Sequence, residues 1–512
     1  EITSKDTICF LEKRDCDPKK CLFAKGFFDR LTEAVQDIFS NEYIMTKKVI
    51  ETYARNHQIC PFEFALYVSY FVDVIICDYN YVFDPRVHLI RYFDDDTYRP
   101  ILLIDEAHNM INRSRDMYSA SIKKSDLVKL RKSTSKIKPS LRGPIKRVID
   151  WFDNYEVEMG DNMIAKNDHM DDSFSEKIIY LMKKIQNTLK ENPDLPNKSE
   201  VMEGYLELLN YSVIMAYYDN AYKTNIIRDK DDMTLSLTCL DASKYIYQTL
   251  DKKVSSSVFF SATLTPITYY KSLISAANGY EMGINSPFDN NRLKVIINDK
   301  VNTRYKNRQA TIEPIIKTIK TVIEAKKGNY IIFFPSYQYL NEVSVQLPKD
   351  LDADLIIQSR DMTLMSKDNV LSALKKNSDR SQLGLFVLGG IFSEGIDYAG
   401  DMLNGVIIVG VGLPMLNHFN DQLKTYYEDT FKKGFDYAYT YPGMNKVIQA
   451  VGRVIRSQSD YGIAILIDDR FSTNKYQRLM PKNWQNKGYV NNDTDLKETL
   501  ALFWSKYEKS HD

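Results

Sequence analysis

Four consecutive apolar residues, Ile101-Leu102-Leu103-Ile104, run straight into Asp105-Glu106-Ala107-His108. A short unbroken apolar run is the pattern of a strand buried in a parallel sheet, and parallel strands need crossover helices, so this stretch constrains the chain toward an α/β architecture. It also sets two carboxylates on the tip of that strand, the end at which open α/β sheets bind ligands. One such carboxylate can hold Mg²⁺, directly or through water, while its neighbour orients a water for attack on a γ-phosphate. An acidic strand end is as often a solvated loop, so the companions of this junction decide between the two readings.

Val258-Phe259-Phe260-Ser261-Ala262-Thr263-Leu264-Thr265-Pro266 is a second apolar strand, ending in small hydroxyl residues that can bond to the chain beside them. Gln449-Ala450-Val451-Gly452-Arg453-Val454-Ile455-Arg456 is the third piece. Read as a helix, it puts Gln449, Arg453 and Arg456 on one face, at spacings of four and three. Two guanidiniums there suit the charge that builds on a transferring phosphoryl group; the bland alternative is a solvated basic helix.

Apolar runs alternate with helical stretches along most of the chain. In the amino-terminal part, strands are expected at Val72 to Ile76 and at the acidic junction. From 113 to 228 the strand signals fade, and periodic charged segments such as Ser175 to Asn192 and Lys198 to Ala221 read as helices. Strands return at Leu235 to Leu240 and Ser257 to Phe260. From about 284 onward they are expected at Leu293 to Ile297, Tyr330 to Phe334, Leu355 to Gln358, Leu383 to Leu388, Val406 to Val409 and Ile463 to Ile467. Pro335-Ser336-Tyr337 closes one of these at a strand tip. Among 35 tyrosines, Tyr337 is the one we single out as a stacking platform for an unpaired base. The tail from Phe471 gives no chemical signal.

Five of the six cysteines precede the acidic junction, and the first four, Cys9, Cys16, Cys21 and Cys60, have the spacing C-x6-C-x4-C-x38-C. Six in so long a chain are not a disulfide framework, which favours a reducing, cytoplasmic compartment. The close pairs of a zinc site are absent, and the spacing leaves open a metal or cluster site and scattered structural thiols. Cys77 and Cys239 lie in apolar segments and read as core thiols.

Taken together, the DEAH box at Asp105–His108, the Ser261-Ala262-Thr263 segment, the Ser393-Glu394-Gly395-Ile396-Asp397 turn, the Gln449–Arg456 helix and the leading cysteines resemble the iron–sulfur branch of superfamily 2 helicases, the XPD/DinG-like family. Cys60-Pro61-Phe62 and Asp78-Tyr79-Asn80-Tyr81-Val82-Phe83-Asp84-Pro85 are similar to that branch too. The resemblance covers nearly the whole chain. It implies an α/β fold of two RecA-like motor domains with parallel sheets, the first carrying an Fe–S insertion and a helical arch-like insertion. The boundaries would be 1–112 for the first motor domain, with the cluster region at 9–60, 113–228 for the arch, 229–283 for the remainder of the first motor, and 284–512 for the second.

The implied activity is ATP-dependent 5′ to 3′ movement on single-stranded and forked DNA, in the bacterial case beside the nucleoid. Asp105 would hold Mg²⁺, Glu106 would activate water, Gln449, Arg453 and Arg456 would reach the phosphates, and Asp397 would lie at the nucleotide edge. Gly395 would supply a turn residue free to take positive φ. His108 would couple this site to DNA-facing Ser261 and Thr263, and the four leading cysteines would ligate a [4Fe–4S] cluster.

One departure is plain. No GxxxxGK[ST] phosphate loop occurs in these residues, although the family places one ahead of its cysteines. The expectation is that the amino-terminal part of the first motor domain lies outside this sequence and that these residues alone bind ATP poorly.

With 44% hydrophobic and 27% charged residues the composition is that of a folded chain rather than a disordered one. The longest apolar stretch, Phe62 to Val82, is broken by Glu63, Asp73 and Asp78, and cannot comfortably span a bilayer. Net charge is formally zero, with 68 basic and 68 acidic residues, which argues against a protein that coats nucleic acid indiscriminately. Locally, 113–150 carries twelve Lys/Arg against three Asp/Glu, and 151–176 reverses to eight acids against Lys166. That reversal reads either as the two walls of a strand-guiding channel or as helix faces that neutralise each other. Two rival functions remain at this stage: an RNA-directed DEAH-box remodeller, against which the cysteines speak, and a non-catalytic DNA-binding or assembly protein without a phosphate loop.

Overall fold

The computed structural model describes residues 1–93, 99–135, 137, 140–192, 195, 197–230, 232–274, 279–362, 364–375, 379–392, 398, 402–484 and 486–508. The chain divides into two compact units, Glu1–Ile104 with Asn109–Phe259, and Asp105–His108 with Phe260–Asp512. Its strands are β1 (Ile101–Ile104), β2 (Ala120–Lys123), β3 (Ile164–Asn167), β4 (Tyr222–Asp229), β5 (Asp232–Cys239), β6 (Ser256–Phe259), β7 (Leu293–Asn298), β8 (Asn329–Phe334), β9 (Ala353–Ile357), β10 (Ser381–Val387), β11 (Gly405–Val409), β12 (Gly462–Ile467) and β13 (Lys487–Tyr489). Among the described residues no helix is long and apolar enough to cross a membrane.

After a single turn of helix at Lys5–Ile8, the first unit continues with helices Phe27–Asn41, Lys47–Asn56 and Pro61–Val68. Phe27, Leu31, Ala34 and Ile38 recur at helical spacing and close a core with Ile50 and Phe64. Thr46 caps the second helix by accepting the Val49 N–H at 3.4 Å, and Pro61 starts the third where its missing N–H costs nothing.

β1 pairs in parallel with β6, from Ile101 opposite Ser256 to Ile104 opposite Phe259. The expectation of a fully buried strand needs correction. Ile104 is 5% exposed, but Ile101 and Leu103 are 67% and 73% exposed, because among the described residues the sheet has these two strands alone. The expected strand at Val72 to Ile76 is likewise absent. Among the described residues the segment has no ladder partner, the Ile2 N–H donating to Ile76 O at 2.9 Å being an isolated bond, and β-propensity without a partner does not make a strand.

Between them lies a four-stranded antiparallel sheet in the order β2-β5-β4-β3, packed with helices Lys124–Ser133, Arg142–Met159, Asp172–Glu191 and Lys198–Met215. The two long helices expected here are present. The strands that enter 113–228 were not foreseen: β2 and β3 are four residues long and half polar, and β4 begins with the mixed run Tyr222-Lys223-Thr224-Asn225. The Leu235 to Leu240 strand is β5, a member of this antiparallel sheet rather than of a parallel one. Lys124, on one helix, pairs with Asp153 at 2.7 Å and Glu156 at 3.0 Å on the next, so at this point the basic and acidic stretches neutralise each other across packed helices.

The second unit is built on a seven-stranded, wholly parallel sheet in the order β13-β7-β12-β11-β8-β10-β9. β11 and β12 are buried along their whole length, which is why Gly405-Val406-Ile407-Ile408-Val409 and Gly462-Ile463-Ala464-Ile465-Leu466-Ile467 read as continuous apolar runs. Helices cover both faces in two separate cores. One gathers Ile315, Ile319, Tyr339 and Trp504. The other gathers Met444, Val447, Val451 and Trp484. All six strands expected from residue 284 onward are present. β13, in the tail that gave no signal, adds an edge by pairing with β7.

Candidate functional site

Asp105–His108 and Phe260–Thr263 leave β1 and β6 side by side, joined by the Ala107 N–H donating to Phe260 O at 3.0 Å. Glu106 has φ 47°, in the left-handed region that costs a non-glycine residue energy, and such strain persists where surrounding contacts over-determine it. Its own N–H donates to Asp105 Oδ1 at 2.7 Å, which turns the Asp105 carboxylate back over the bend. Both carboxylates stand in solvent, the Glu106 side chain 61% exposed.

His108 is buried beneath them. Its Nδ1 is 2.8 Å from Ser261 Oγ and 3.2 Å from Glu106 Oε2, and its Nε2 meets the Gln449 side-chain amide nitrogen. A Gln449 N–H donating into Nε2 leaves the imidazole proton on Nδ1, facing Ser261 and Glu106. The Ser261 hydroxyl then donates onward to Glu106 Oε2 at 3.3 Å. The result is one continuous hydrogen-bonded chain in which Gln449, His108 and Ser261 donate in turn and the Glu106 carboxylate accepts at its end. The Glu106 carboxyl is held below its ordinary range chiefly by the His108 hydrogen bond, against partial burial, with help from the Ser261 hydroxyl and the Arg453 guanidinium.

Thr263 is buried, and its N–H donates to Ser261 Oγ at 3.3 Å, so the hydroxyl segment folds back on itself. Gln449 lies in the helix Tyr441–Val451. The expected common helical face with the two arginines is not formed: the helix caps at Gly452, and Arg453 and Arg456 follow in a turn. That turn is set by Asp460 Oδ2, which accepts the Arg456 and Ser457 N–H groups at 2.8 Å each. Arg453 is 8% exposed while Arg456 is exposed. Gly395 and Asp397 lie outside the described residues.

Cys9 and Cys60 are partly buried, Cys21 is buried and Cys16 is exposed. Among the described residues no three His, Cys, Asp or Glu side chains form a group able to hold a metal ion, so as placed the four thiols do not converge on a cluster. Burial pushes the Cys60 thiol up, opposed by backbone N–H groups of Glu63 and Phe62 and by Lys5. Tyr337 stands at the tip of β8, its hydroxyl accepting from Gln358 Nε2 at 3.0 Å.

One network escaped the sequence reading. Asp468, fully buried at the tip of β12, accepts from Arg470 Nε at 2.6 Å and Nη2 at 2.8 Å, and from the Thr303 hydroxyl. Burial alone would raise its carboxyl; the Arg470 hydrogen bonds and charge outweigh burial and hold it below the usual range. The signal was available, since Asp468-Asp469-Arg470 follows the run Ile463–Ile467 as Asp105-Glu106 follows Ile101–Ile104.

The chain is similar to known proteins along most of its length. Residues 319–487 match the family model described as the helicase C-terminal domain, and residues 1–127 match DEAD_2. The chain is 24% identical to the ATP-dependent DNA helicase CHL1 of Debaryomyces hansenii over 447 residues, 74% of this chain and 53% of that protein. It is 22% identical to the general transcription and DNA repair factor IIH helicase subunit XPD of Arabidopsis thaliana, over 94% of this chain and 76% of the other. The chain thus spans about half the length of the first of these relatives. An XPD helicase structure aligns at TM-score 0.56 and 18% identity, covering 96% of this chain and 90% of its own. An S. tokodaii structure described as Xpd4 aligns at TM-score 0.57 and 16% identity, covering 91% and 100%. At these identities the structural likeness speaks for the fold alone.

Proposed function

Because this chain belongs to the XPD/DinG-like helicases of superfamily 2, we propose that the protein hydrolyses ATP to travel 5′ to 3′ along single-stranded DNA and to open forked duplex. The observation that carries this reading is the donor chain from Gln449 through His108 and Ser261 to Glu106. It ties a hydrolytic carboxylate to the helix Tyr441–Val451, which lies between β11 and β12, so a change at one end is felt at the other.

In the proposed cycle Glu106, kept ionised, accepts a hydrogen bond from the attacking water and aligns it in line with the leaving ADP. The P–O bond to ADP breaks as the water oxygen bonds to phosphorus, and the water proton passes to Glu106 or to the phosphate. Arg453, whose charge is felt at Glu106, faces the negative charge spread over the transferring group. Asp105 is an exposed carboxylate of the type that holds Mg²⁺, which when bound neutralises phosphate charge. His108 and Ser261 keep Glu106 oriented and relay its state to Thr263.

A [4Fe–4S] centre at Cys9, Cys16, Cys21 and Cys60 rests on cysteine order alone. The thiols as placed do not fit it, so no step is routed through it, and iron content per chain of anaerobically purified protein decides the matter.

The test uses the full-length protein. Steady-state ATP turnover should rise with single-stranded DNA and not with RNA, and a fork with a 5′ tail should open while one with a 3′ tail stays closed. Stimulation by RNA instead would turn the assignment to an RNA remodeller. DNA binding with no turnover at all would leave a non-catalytic binding protein.

A further inference from the structure

His108 presents two ring nitrogens, and their partners arrive on separate elements: Ser261 on the segment that leaves β6, and Gln449 on the helix Tyr441–Val451. The first of these runs on through Pro266 into a helix at Ile267–Ile274, which meets the Gln449 helix through tyrosine rings. The buried Tyr269 ring lies 4.9 Å from that of Tyr437, edge to face at 87°, and 5.3 Å from that of Tyr441. Phe431, at the end of the helix His418–Phe431, stacks on Tyr437 at 4.9 Å, so the buried Tyr437 ring is held between rings from two other helices. A thread of hydroxyls follows the rings. Ser272 Oγ donates its one proton to Tyr269 O at 2.9 Å, which leaves it to accept from the Tyr437 hydroxyl at 3.3 Å.

The backbone upstream of Gln449 sets which way that residue points. The helix continues without a break from Gly434, but across Asp436–Thr440 it widens into a π-turn, in which the Tyr441 N–H donates to Asp436 O, five residues back. Pro442 explains the place: it brings no N–H to the Ala438 carbonyl, and its ring would crowd that carbonyl in a regular α-helix. The widened turn also resets the phase. Tyr437 and Gln449 are twelve residues apart, which at about 3.6 residues per turn would leave them about 120° apart around the axis; absorbing one residue in the π-turn cuts the angle to about 20°. The ring that meets Tyr269 and the amide that meets His108 therefore share one face of the helix.

We propose that Tyr269, Ser272 and Tyr437 are positioning residues for hydrolysis: they brace the stretch that carries Ser261 against the helix that carries Gln449, so that both partners reach the same His108 ring. The brace rests on the ATP-hydrolysis reading above and adds to it residues, outside the motif segments, that set the geometry of the donor chain. They act through Ser261 and Gln449 rather than on the substrate.

The experiment is steady-state ATP turnover of full-length protein on saturating single-stranded DNA, with kcat and KM for ATP separated. Tyr269→Leu fills the space without a ring and should lower kcat about 10- to 100-fold, the scale of a displacement of about 1 Å, while KM stays within about twofold. Tyr269→Phe restores the ring and should return kcat to within about threefold of the parent. In a Gln449→Ala background the same Tyr269→Leu change should cost less than about twofold, because the brace then has nothing left to position. Tyr437→Phe and Ser272→Ala keep the core filled and decide the matter where a Tyr269 variant fails to fold, as thermal unfolding will show. Each should lower kcat about 2- to 10-fold, and the pair together no more than either alone. Parent-like kcat in Tyr269→Leu or in both hydroxyl variants, or an equal loss with and without Gln449, overturns the brace and leaves the helicase reading standing. No ATP turnover by the parent overturns the helicase reading itself, and the brace with it.

Discussion

Glu106 is strained at φ 47°, and its carboxylate receives His108 and Ser261 from one side while facing solvent on the other. Glu106→Gln keeps the shape and removes the charge, so in the full-length protein it should retain nucleotide and DNA binding yet lose at least about 10² in turnover. Steady-state ATPase on single-stranded DNA reads this, and turnover within about twofold of the parent would remove Glu106 from the catalytic role. Asp468 gives a pH prediction. Its folded pKa lies below the ordinary carboxylate value of about 4, so its stabilisation is complete above that value and is lost as pH falls through the folded pKa. Asp468→Asn leaves Arg470 facing a neutral amide in a buried setting and should cost about 3 kcal/mol at neutral pH. The variant should then lose less on acidification than the parent, as seen by chemical denaturation at several pH values. Asp105, Glu106 and His108 were legible because they are contiguous, whereas Asp468 meets Thr303 across 165 positions, a separation that no local pattern encodes.

Elements were legible where burial is two-sided and long. The six strands of the second sheet declared themselves as apolar runs, but β13 did not, since Lys487-Gly488-Tyr489 has no period to read. The β1 run predicted a strand correctly and its burial wrongly, because a sequence pattern reports what a strand can bury and not how many neighbours it has. The helix Tyr441–Val451 was extended too far in the sequence reading. Gly452 and the Asp460 turn end it, and spacing arithmetic passed over both. That helix approaches β11 through glycine: a Cβ on Gly443 would sit 2.8 Å from Val411 O, and one on Gly412, at φ 67°, 2.6 Å from Gly443 O. Gly443→Ala should therefore push the helix off the sheet, costing about 1–3 kcal/mol of stability. Because the helix carries Gln449, turnover should fall with it. Thermal unfolding and ATPase measured together test this, and a variant matching the parent in both would show that the close approach is not needed.

At the scale of the molecule, each unit owns its apolar cores, so calorimetry should resolve two unfolding transitions, and Asp468→Asn should shift one of them. A single transition displaced as a whole would mean that the two units melt as one. The division also runs through the chain in an unusual place. Asp105–His108 belongs by its contacts to the second unit although the residues on either side belong to the first. Neither unit is a continuous stretch of polypeptide, and no single cut in the gene can release one intact. A fragment beginning at Phe260 would keep every strand of the seven-stranded sheet yet leave Gln449 and Ser261 without the imidazole that joins them. The covalent thread thus crosses between the units at three peptide bonds, so that four residues lent by one half complete the circuitry of the other.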